Sequence, residues 1–359
     1  MFERIAPERF DTLPDIPEPA ENPLLVGHAD AAALLAGAYR AGKLHHGLLF
    51  AGPPGIGKAT LAFHLAHHLF THPDPATAPD HLSAPDTTAQ MFRLIAQDAH
   101  PSLLHLTRPY VERDKKFKTV ITVDEIRRIQ RFLSLTTHDG GYRVVIVDPA
   151  DDMNVSAANA LLKSLEEPPP RTIFILIAHS LGRLLPTIRS RCQVVRLQPL
   201  GNDELGGLLR ALGASGGASG GAAGGEAGQD ERAVAEHARG SVRNAILLSQ
   251  FGGAEIAGVL QRLVEARGDF DIAEALRLGD AVNGRERDVQ FAIFNRAVLD
   301  MIAARAAAFA EAGDAAAAAR AADLWDETNT AIRDAETYNL DRKQHVAGLA
   351  ARLNAAFKA

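Results

Sequence analysis

The sequence is poor in cysteine and lacks long apolar runs. A single cysteine, Cys192, stands among 359 residues, so an internal disulfide framework is excluded and a reducing compartment is expected. No stretch of about 18 uncharged apolar residues occurs, which predicts that no segment spans a membrane. Residues 1–19 carry acids and prolines where a signal peptide needs an apolar run. We therefore expect a cytoplasmic protein.

The sequence also lacks an excess of cations. Its formal net charge is -6, with 38 Lys and Arg against 44 Asp and Glu. Any nucleic-acid contact would therefore depend on a local basic patch, since the surface as a whole is not cationic. With 47% hydrophobic and 23% charged residues, the chain is long enough for two or three soluble domains, each with its own core.

Five short runs rich in Leu, Ile and Val alternate with helical patterns in the part of the chain before residue 199. This alternation predicts an α/β domain, a parallel sheet with helices on both faces, at residues 1–198. The runs cover residues 47–52, 103–107, 142–148, 172–178 and 193–197.

Signals for β-strands disappear from residue 199 onward. We predict a small helical lid at residues 199–252, interrupted by a Gly-, Ala- and Ser-rich insertion at residues 213–229 that has little to bury. Residues 253–359 are rich in Ala, Leu, Arg and Glu, and charges interrupt their apolar runs. This pattern predicts an all-helical C-terminal domain.

A glycine-rich loop connects the first predicted strand to a predicted helix at residues 58–70. In such loops the glycines let backbone N–H groups point at phosphate oxygens, and a lysine and the helix N-terminus add positive potential. The pattern therefore predicts a phosphate loop with ATP or ADP as its ligand. The loop reads Gly52, Pro53, Pro54, Gly55, Ile56, Gly57, Lys58.

Two positions depart from the pattern of an active ATPase. The residue after Lys58 should carry a hydroxyl that ligates Mg²⁺, but it is Ala59, with Thr60 one residue late. Asp148 ends a predicted strand and can hold Mg²⁺ or its water, or else cap a helix. Where a glutamate would then orient the attacking water, the chain has Pro149. We expect weak, Mg-dependent nucleotide binding and no independent hydrolysis.

Two carboxylates follow Pro149 closely in the sequence. Asp151 and Asp152 are displaced by two and three residues from the position of a catalytic glutamate. A shift of several ångströms in a catalytic group commonly costs about a hundredfold or more in rate. We therefore expect neither carboxylate to replace the missing glutamate.

Four motifs together resemble the clamp-loader branch of the AAA+ family. They are GPPGIGK at 52–58, NALLKSLEEPP at 159–169, LLPTIRSRC at 184–192 and GSVR at 240–243. The second and third are highly specific, whereas the first occurs in many ATPase families. The resemblance covers about residues 20–250 well. It implies an AAA+ sheet domain, a helical lid and a helical collar, and the defective acidic motif implies a subunit that is not a motor.

The resemblance also implies roles for single residues. Arg191, in Ser190-Arg191-Cys192, would be an arginine finger that reaches the γ-phosphate in a neighbouring subunit, the alternative being an ordinary surface ion pair. Arg243 would touch nucleotide bound to its own chain, or else serve the lid fold. His179-Ser180 would be the first sensor, and Val26-Gly27-His28 would lie near an adenine pocket or form a loop-to-helix connection.

The partners implied are those of the bacterial DNA polymerase III clamp loader, a heteropentamer that loads the sliding clamp onto primed DNA. They are ATPase subunits of the gamma/tau type, a delta subunit, the clamp indirectly, and primer-template DNA through the assembly. No carboxylate pair in a polymerase-like context is visible. Polymerase activity would therefore belong to the holoenzyme, and we expect the chain by itself not to be catalytic.

Direct DNA contact and metal binding have weaker support. Related subunits often carry a four-cysteine zinc module, which this chain cannot form, and we predict no zinc and no metal site apart from the Mg²⁺ that would accompany a nucleotide. His64, His67 and His68 share one helix face, where solvated histidines are commoner than ligands. Six cations could touch DNA phosphates or form an ordinary solvated face. They are Lys115, Lys116, Lys118, Arg127, Arg128 and Arg131.

Two other classes of protein remain as alternatives. An active AAA+ motor, either the loader's own motor subunit or a branch-migration helicase, would show ATP turnover as an isolated chain, and Ala59 and Pro149 oppose it. A P-loop kinase acting on a small molecule would leave the SRC and GSVR motifs and the helical tail without a purpose.

Overall fold

The computed structural model describes residues 3–134, 141–212, 234, 238–266, 269–284, 287–338 and 340–358. The predicted insertion at residues 213–229 lies outside the described residues. The chain forms two compact units. The described residues from 3 to 212 and from 238 to 244 belong to the first, and those from 245 to 358 belong to the second.

The first unit is built on a five-stranded sheet in which every neighbouring pair is parallel. The strand order is β2, β5, β6, β1, β7, so the strand before the phosphate loop lies inside the sheet. All five strands were predicted as apolar runs. They are β1 Gly47–Ala51, β2 Leu103–Leu106, β5 Arg143–Val147, β6 Thr172–Ala178 and β7 Gln193–Arg196.

Helices cover both faces of this sheet because its side chains alternate between two cores. Along β1, Leu48 and Phe50 join one cluster of buried residues, and Leu49 joins the other. The helices of the first core are α1 Ala29–Arg40, α2 Lys58–Thr71 and α3 Gln90–Ala96; those of the second are α4 Val123–Ser134, α5 Val155–Glu166 and the short α6 Pro186–Arg189.

A small antiparallel hairpin was not predicted. Its strands are β3 Tyr110–Val111 and β4 Lys116–Phe117, and Tyr110 packs edge-on against Phe117. The hairpin places Lys115 in its turn, with a positive φ of 48°. Three of the predicted basic residues therefore lie on or beside a hairpin and not in an open segment before α4.

The chain after the last strand of the sheet is helical in both units. α7 Asn202–Ala211 belongs to the first unit, and the boundary between the units falls within α8 Val242–Gln250. The second unit contains α9 Gly253–Glu265, α10 Ile272–Val282, α11 Asp288–Glu311, α12 Ala315–Tyr338 and α13 Arg342–Lys358.

The core of the second unit is mainly apolar, and one of its buried polar residues is Asn354. The two N–H groups of Asn354 Nδ2 are shared among the carbonyl oxygens of Leu263, Val264 and Ala266, which lie at 3.0 to 3.1 Å and belong to the end of α9. Phe294 and Leu260 are fully buried in the same cluster. Among the described residues, no helix is both long and apolar enough to cross a bilayer.

The predicted fold class is confirmed: a parallel P-loop sheet flanked by helices, followed by a helical C-terminal region. The division into domains at 1–198, 199–252 and 253–359 stays a prediction. Within the first unit, the carboxyl ends of β1, β5 and β6 meet at one edge of the sheet, which is where ligands bind in such folds.

Candidate functional site

The phosphate loop, Gly52 to Lys58, lies between β1 and α2, as the sequence predicts. Gly55 and Gly57 have positive φ values of 75° and 100°, which glycine adopts without strain. A Cβ atom on Gly55 would lie 2.5 Å from Ser241 Oγ and 2.6 Å from Arg243 Cβ. The loop is therefore closely covered by the segment that carries the GSVR motif.

The lysine of this loop is turned inward. Lys58 is 3% exposed, and its Nζ donates to the carbonyl oxygens of Gly52 at 2.7 Å and Pro53 at 2.5 Å. Burial lowers the pKa of Lys58 to about 8, although the negative charges of Asp148 and Asp151 raise it. A phosphate group would have to compete with two carbonyl oxygens for this ammonium.

The two residues after the lysine lie where an active ATPase would carry a Mg²⁺-ligating hydroxyl. Ala59 packs against the first core and has no hydroxyl to offer a metal. Thr60 is buried on the first turn of α2. A magnesium ligand at the usual position is therefore missing from this helix start.

Asp148 follows β5 at the carboxyl edge of the sheet. Burial raises the pKa of Asp148 to about 7, Asp11 raises it further by repulsion, and the Lys58 charge lowers it. A carboxyl group with this pKa is partly protonated near neutral pH, and a protonated carboxyl group is a poor Mg²⁺ ligand.

This shift predicts a pH-dependent effect of Asp148→Asn on stability. The folded pKa of Asp148, about 7, lies above the ordinary aspartate value of 3.8. The contribution of this group to stability is therefore full below pH ~4 and is lost as pH rises towards ~7. Asparagine removes this loss. Relative to the parent chain, the gain in unfolding free energy of Asp148→Asn should be about 1–2 kcal/mol larger at pH ~7.5 than at pH ~5. This value includes a reduction for solvent screening, because Asp148 is only half-buried.

Urea unfolding at the two pH values measures this gain. Asp15→Asn is the matched control, because Asp15 is exposed in the same unit and its left-handed backbone suits asparagine. An equal gain for Asp148→Asn at both pH values would contradict the raised pKa.

The two carboxylates after Pro149 serve the framework of the sheet domain. Asp151 accepts the backbone N–H groups of His179 and Ser180, each at 3.1 Å. Asp152 pairs with Arg108 Nε at 2.6 Å. Both carboxylates therefore already have partners. That neither replaces a glutamate at position 149 stays a prediction.

The segment that carries Arg243 contacts the phosphate loop through its backbone. Ser241 Oγ donates to the Pro54 carbonyl at 3.0 Å, and the Arg243 N–H donates to the Gly55 carbonyl at 3.3 Å. The Arg243 side chain pairs with Asp11 Oδ2 at 3.5 Å. Sequence reasoning missed Asp11, because no local pattern marks one acid among several as a partner of Arg243.

His28 also contacts the phosphate loop. Its Nε2 atom lies 2.6 Å from the Ile56 carbonyl oxygen, and His28 is the N-cap of α1. The Val26-Gly27-His28 segment is thus a loop-to-helix connection that touches the loop. Its predicted place beside an adenine ring stays a prediction.

Arg191 lies in a different segment, outside the phosphate loop. It follows α6, and its side chain is 36% exposed. Its Nη2 atom pairs with Glu166 at 2.6 Å, and its Nη1 atom donates to the Thr187 carbonyl at 3.0 Å. Next to it, Cys192 is buried in the second core, and burial raises the pKa of that thiol to about 11. The cysteine anchors the arginine.

The basic residues of α4 are largely neutralised. Arg127 pairs with Asp124 at 2.8 Å and Arg128 pairs with Glu125 at 2.7 Å, each one helical turn away. Such pairs are typical of a solvated helix face. A direct DNA contact here stays a prediction.

Two histidines of α2, His64 and His68, are buried and do not lie on a solvated helix face as expected. His64 Nε2 lies 3.0 Å from the Asn22 carbonyl oxygen. Burial lowers the pKa of His68 to about 4. Within the residues that the structure describes, no group of three His, Cys, Asp or Glu side chains is arranged to hold a metal ion.

Comparisons with known proteins find subunits of DNA polymerase III. The chain is 43% identical over 147 residues to DNA polymerase III subunit delta' of Pseudomonas aeruginosa, which is 41% of each protein. It is 34% identical over 166 residues to subunit delta' of Escherichia coli, which is 46% of each. The match therefore spans less than half the length of these relatives.

A more distant relative covers more of the chain. The gamma subunit of DNA polymerase III from Buchnera aphidicola is 27% identical over 227 residues, which is 62% of this chain and 56% of that protein. The family model described as DNA polymerase III, delta subunit, matches residues 27–201. These residues include the phosphate loop, Asp148 and Arg191. The match to this family model is thus confined to the part of the chain that contains the sheet.

Proposed function

We propose that the chain is a non-motor subunit of a DNA polymerase III clamp loader, which helps load the sliding clamp onto primed DNA. The observation that carries the proposal is a combination of two features in one domain. A phosphate-loop site lacks a catalytic carboxylate, and a partly exposed arginine stands next to the buried Cys192. That arginine, Arg191, would act in the nucleotide site of a neighbouring subunit.

The geometry of the phosphate loop supports a passive role for the chain's own site. Lys58 is satisfied by loop carbonyls, and Pro149 can neither accept a proton nor position water. Arg243 pairs with Asp11. ATP or ADP would bind weakly and with help from Mg²⁺, and bound nucleotide would not be hydrolysed.

The relatives indicate the kind of neighbour. They are named as delta' and gamma subunits of one polymerase, so we propose an ATPase subunit of the gamma/tau type as the recipient of Arg191. A delta subunit would complete the assembly, and the helical second unit would contribute to a collar. Contact with primer-template DNA and with the clamp would come through the assembly.

ATP turnover by the isolated full-length chain tests the passive role. We expect turnover no higher than buffer, because the water-orienting carboxylate is missing. Addition of gamma/tau-type and delta subunits should give a complex with ATPase activity that primed DNA and clamp stimulate. The gamma/tau-type subunit alone is the positive control. Turnover by the isolated chain that matches this control would instead support the motor alternative.

A further inference from the structure

The two most specific motifs of the sequence meet at the surface. Leu165, in the first motif, and Cys192, in the second, are buried in the same core. Glu166 follows Leu165 and Arg191 precedes Cys192, and both charged side chains reach the surface. The two buried anchors therefore place an acid and a base side by side.

The start of β1 fixes this arrangement. A Cβ atom on Gly47 would lie 3.1 Å from the Arg191 carbonyl oxygen, 3.3 Å from Cys192 Sγ and 3.6 Å from Leu165 Cδ2. The His46 ring also bonds to the Leu165 carbonyl at 3.0 Å. Both charged residues thus extend from backbone that is packed tightly against one strand.

The guanidinium of Arg191 is held at two of its corners. Nη2 pairs with Glu166 Oε1 at 2.6 Å, and Nη1 donates to the Thr187 carbonyl at 3.0 Å. Because the group is planar, two acceptors fix its plane as well as its place. Its remaining N–H groups can still donate to an incoming phosphate.

We propose that Glu166 is a positioning residue that holds the Arg191 guanidinium ready for the phosphate of a neighbouring subunit. This inference rests on the proposed function, since it gives the finger its orientation. Glu166 itself contacts no nucleotide. It lowers the number of conformations that Arg191 must give up when the phosphate arrives.

A purely structural role for the pair would be small. The side chains of Arg191 and Glu166 are 36% and 47% exposed, and exposed ion pairs add little to folding stability. Glu167, the next residue, is also exposed and forms no ion pair with the residues that the structure describes. It offers a control of the same charge, one position away.

The test uses the full chain in a reconstituted loader, with DNA- and clamp-stimulated ATP turnover as the readout. Glu166→Ala should lower kcat about fivefold, the factor at the upper end of exposed ion-pair couplings. KM for ATP should not change, because ATP is bound by the neighbour's own phosphate loop. Glu166→Gln keeps an acceptor oxygen and should restore most of the rate. Glu167→Ala should match the parent.

Combination with Arg191→Ala separates the inference from the proposed function. In a chain that already lacks Arg191, Glu166→Ala should have no further effect on kcat. An equal loss in both backgrounds, or a loss with Glu167→Ala as large as with Glu166→Ala, would overturn the positioning role. An unchanged rate with Glu166→Ala beside a large loss with Arg191→Ala overturns it too, and leaves the finger intact. An unchanged rate with Arg191→Ala overturns the proposed function itself.

Discussion

Replacement of Arg191 by alanine is expected to slow ATP hydrolysis in the neighbouring site by about 10³-fold or more, the usual contribution of an arginine finger. The stimulated ATP turnover of the whole loader should fall by at least the fraction that this neighbouring site contributes to it. Clamp loading onto primed DNA should fall with it.

The physical reason lies in the charge and shape of the guanidinium. As the γ-phosphate leaves, negative charge develops on its oxygens, and a planar fork can donate two hydrogen bonds to them. Arg191→Lys keeps the charge but loses the fork, so we expect an intermediate rate. Folding should change by less than about 1 kcal/mol in either variant, because the side chain is partly exposed and its ion pair is on the surface.

Steady-state ATP turnover of the reconstituted loader, with clamp and primed DNA present, measures this effect. Arg113→Ala is the matched control, because Arg113 lies in the hairpin turn with its side chain 89% exposed, and among the described residues its ion pair is with the adjacent Asp114. Size-exclusion chromatography shows whether each variant assembles. A fully assembled Arg191→Ala loader with parental turnover would show that Arg191 is an ordinary surface residue.

Replacement of Gly240 by alanine is expected to destabilise the first unit by about 2–5 kcal/mol. The residue has a positive φ of 72°, and a Cβ atom there would lie 2.5 Å from both the Leu200 carbonyl oxygen and Pro199 Cβ. These neighbours cannot move freely, because the Leu200 N–H donates to the Gly240 carbonyl at 3.0 Å. The GSVR segment would lose its place on the phosphate loop.

A matched glycine separates backbone conformation from crowding. Gly42 has a φ of 64° in the same unit, and no atom lies within 4 Å of a Cβ built there. Gly42→Ala should therefore cost only about 1 kcal/mol, the conformational part of the effect. Urea unfolding followed by circular dichroism gives both values. Equal losses for the two variants would show that the close approach at Gly240 contributes nothing.

Much of the sheet domain can be predicted from local patterns. The five apolar runs correspond to five strands because buried parallel strands are apolar on both faces. The phosphate loop is found for a similar reason, since its glycines and lysine have a fixed spacing. The hairpin at Tyr110 to Phe117 was missed, because its strands are two residues long and its turn is charged.

The contacts that decide the chemistry could not be predicted in the same way. Arg243 pairs with Asp11 across most of the length of the first unit's sequence, and Arg191 pairs with Glu166 of a different motif. The inward turn of Lys58 depends on loop carbonyls that any phosphate loop has. A sequence pattern gives the type of such residues, whereas their partners follow from packing.

The bonds of Asp151 and Asp152 also bear on how this chain could evolve. Under the proposed function, a descendant that regained glutamate at position 149 would still lack a hydroxyl at Ala59. Its neighbouring acids would still be committed to His179, Ser180 and Arg108. No single substitution would then restore ATP hydrolysis, so selection could not favour its recovery one substitution at a time. Under the proposed function, dependence on a neighbouring ATPase subunit would therefore be hard to reverse in evolution.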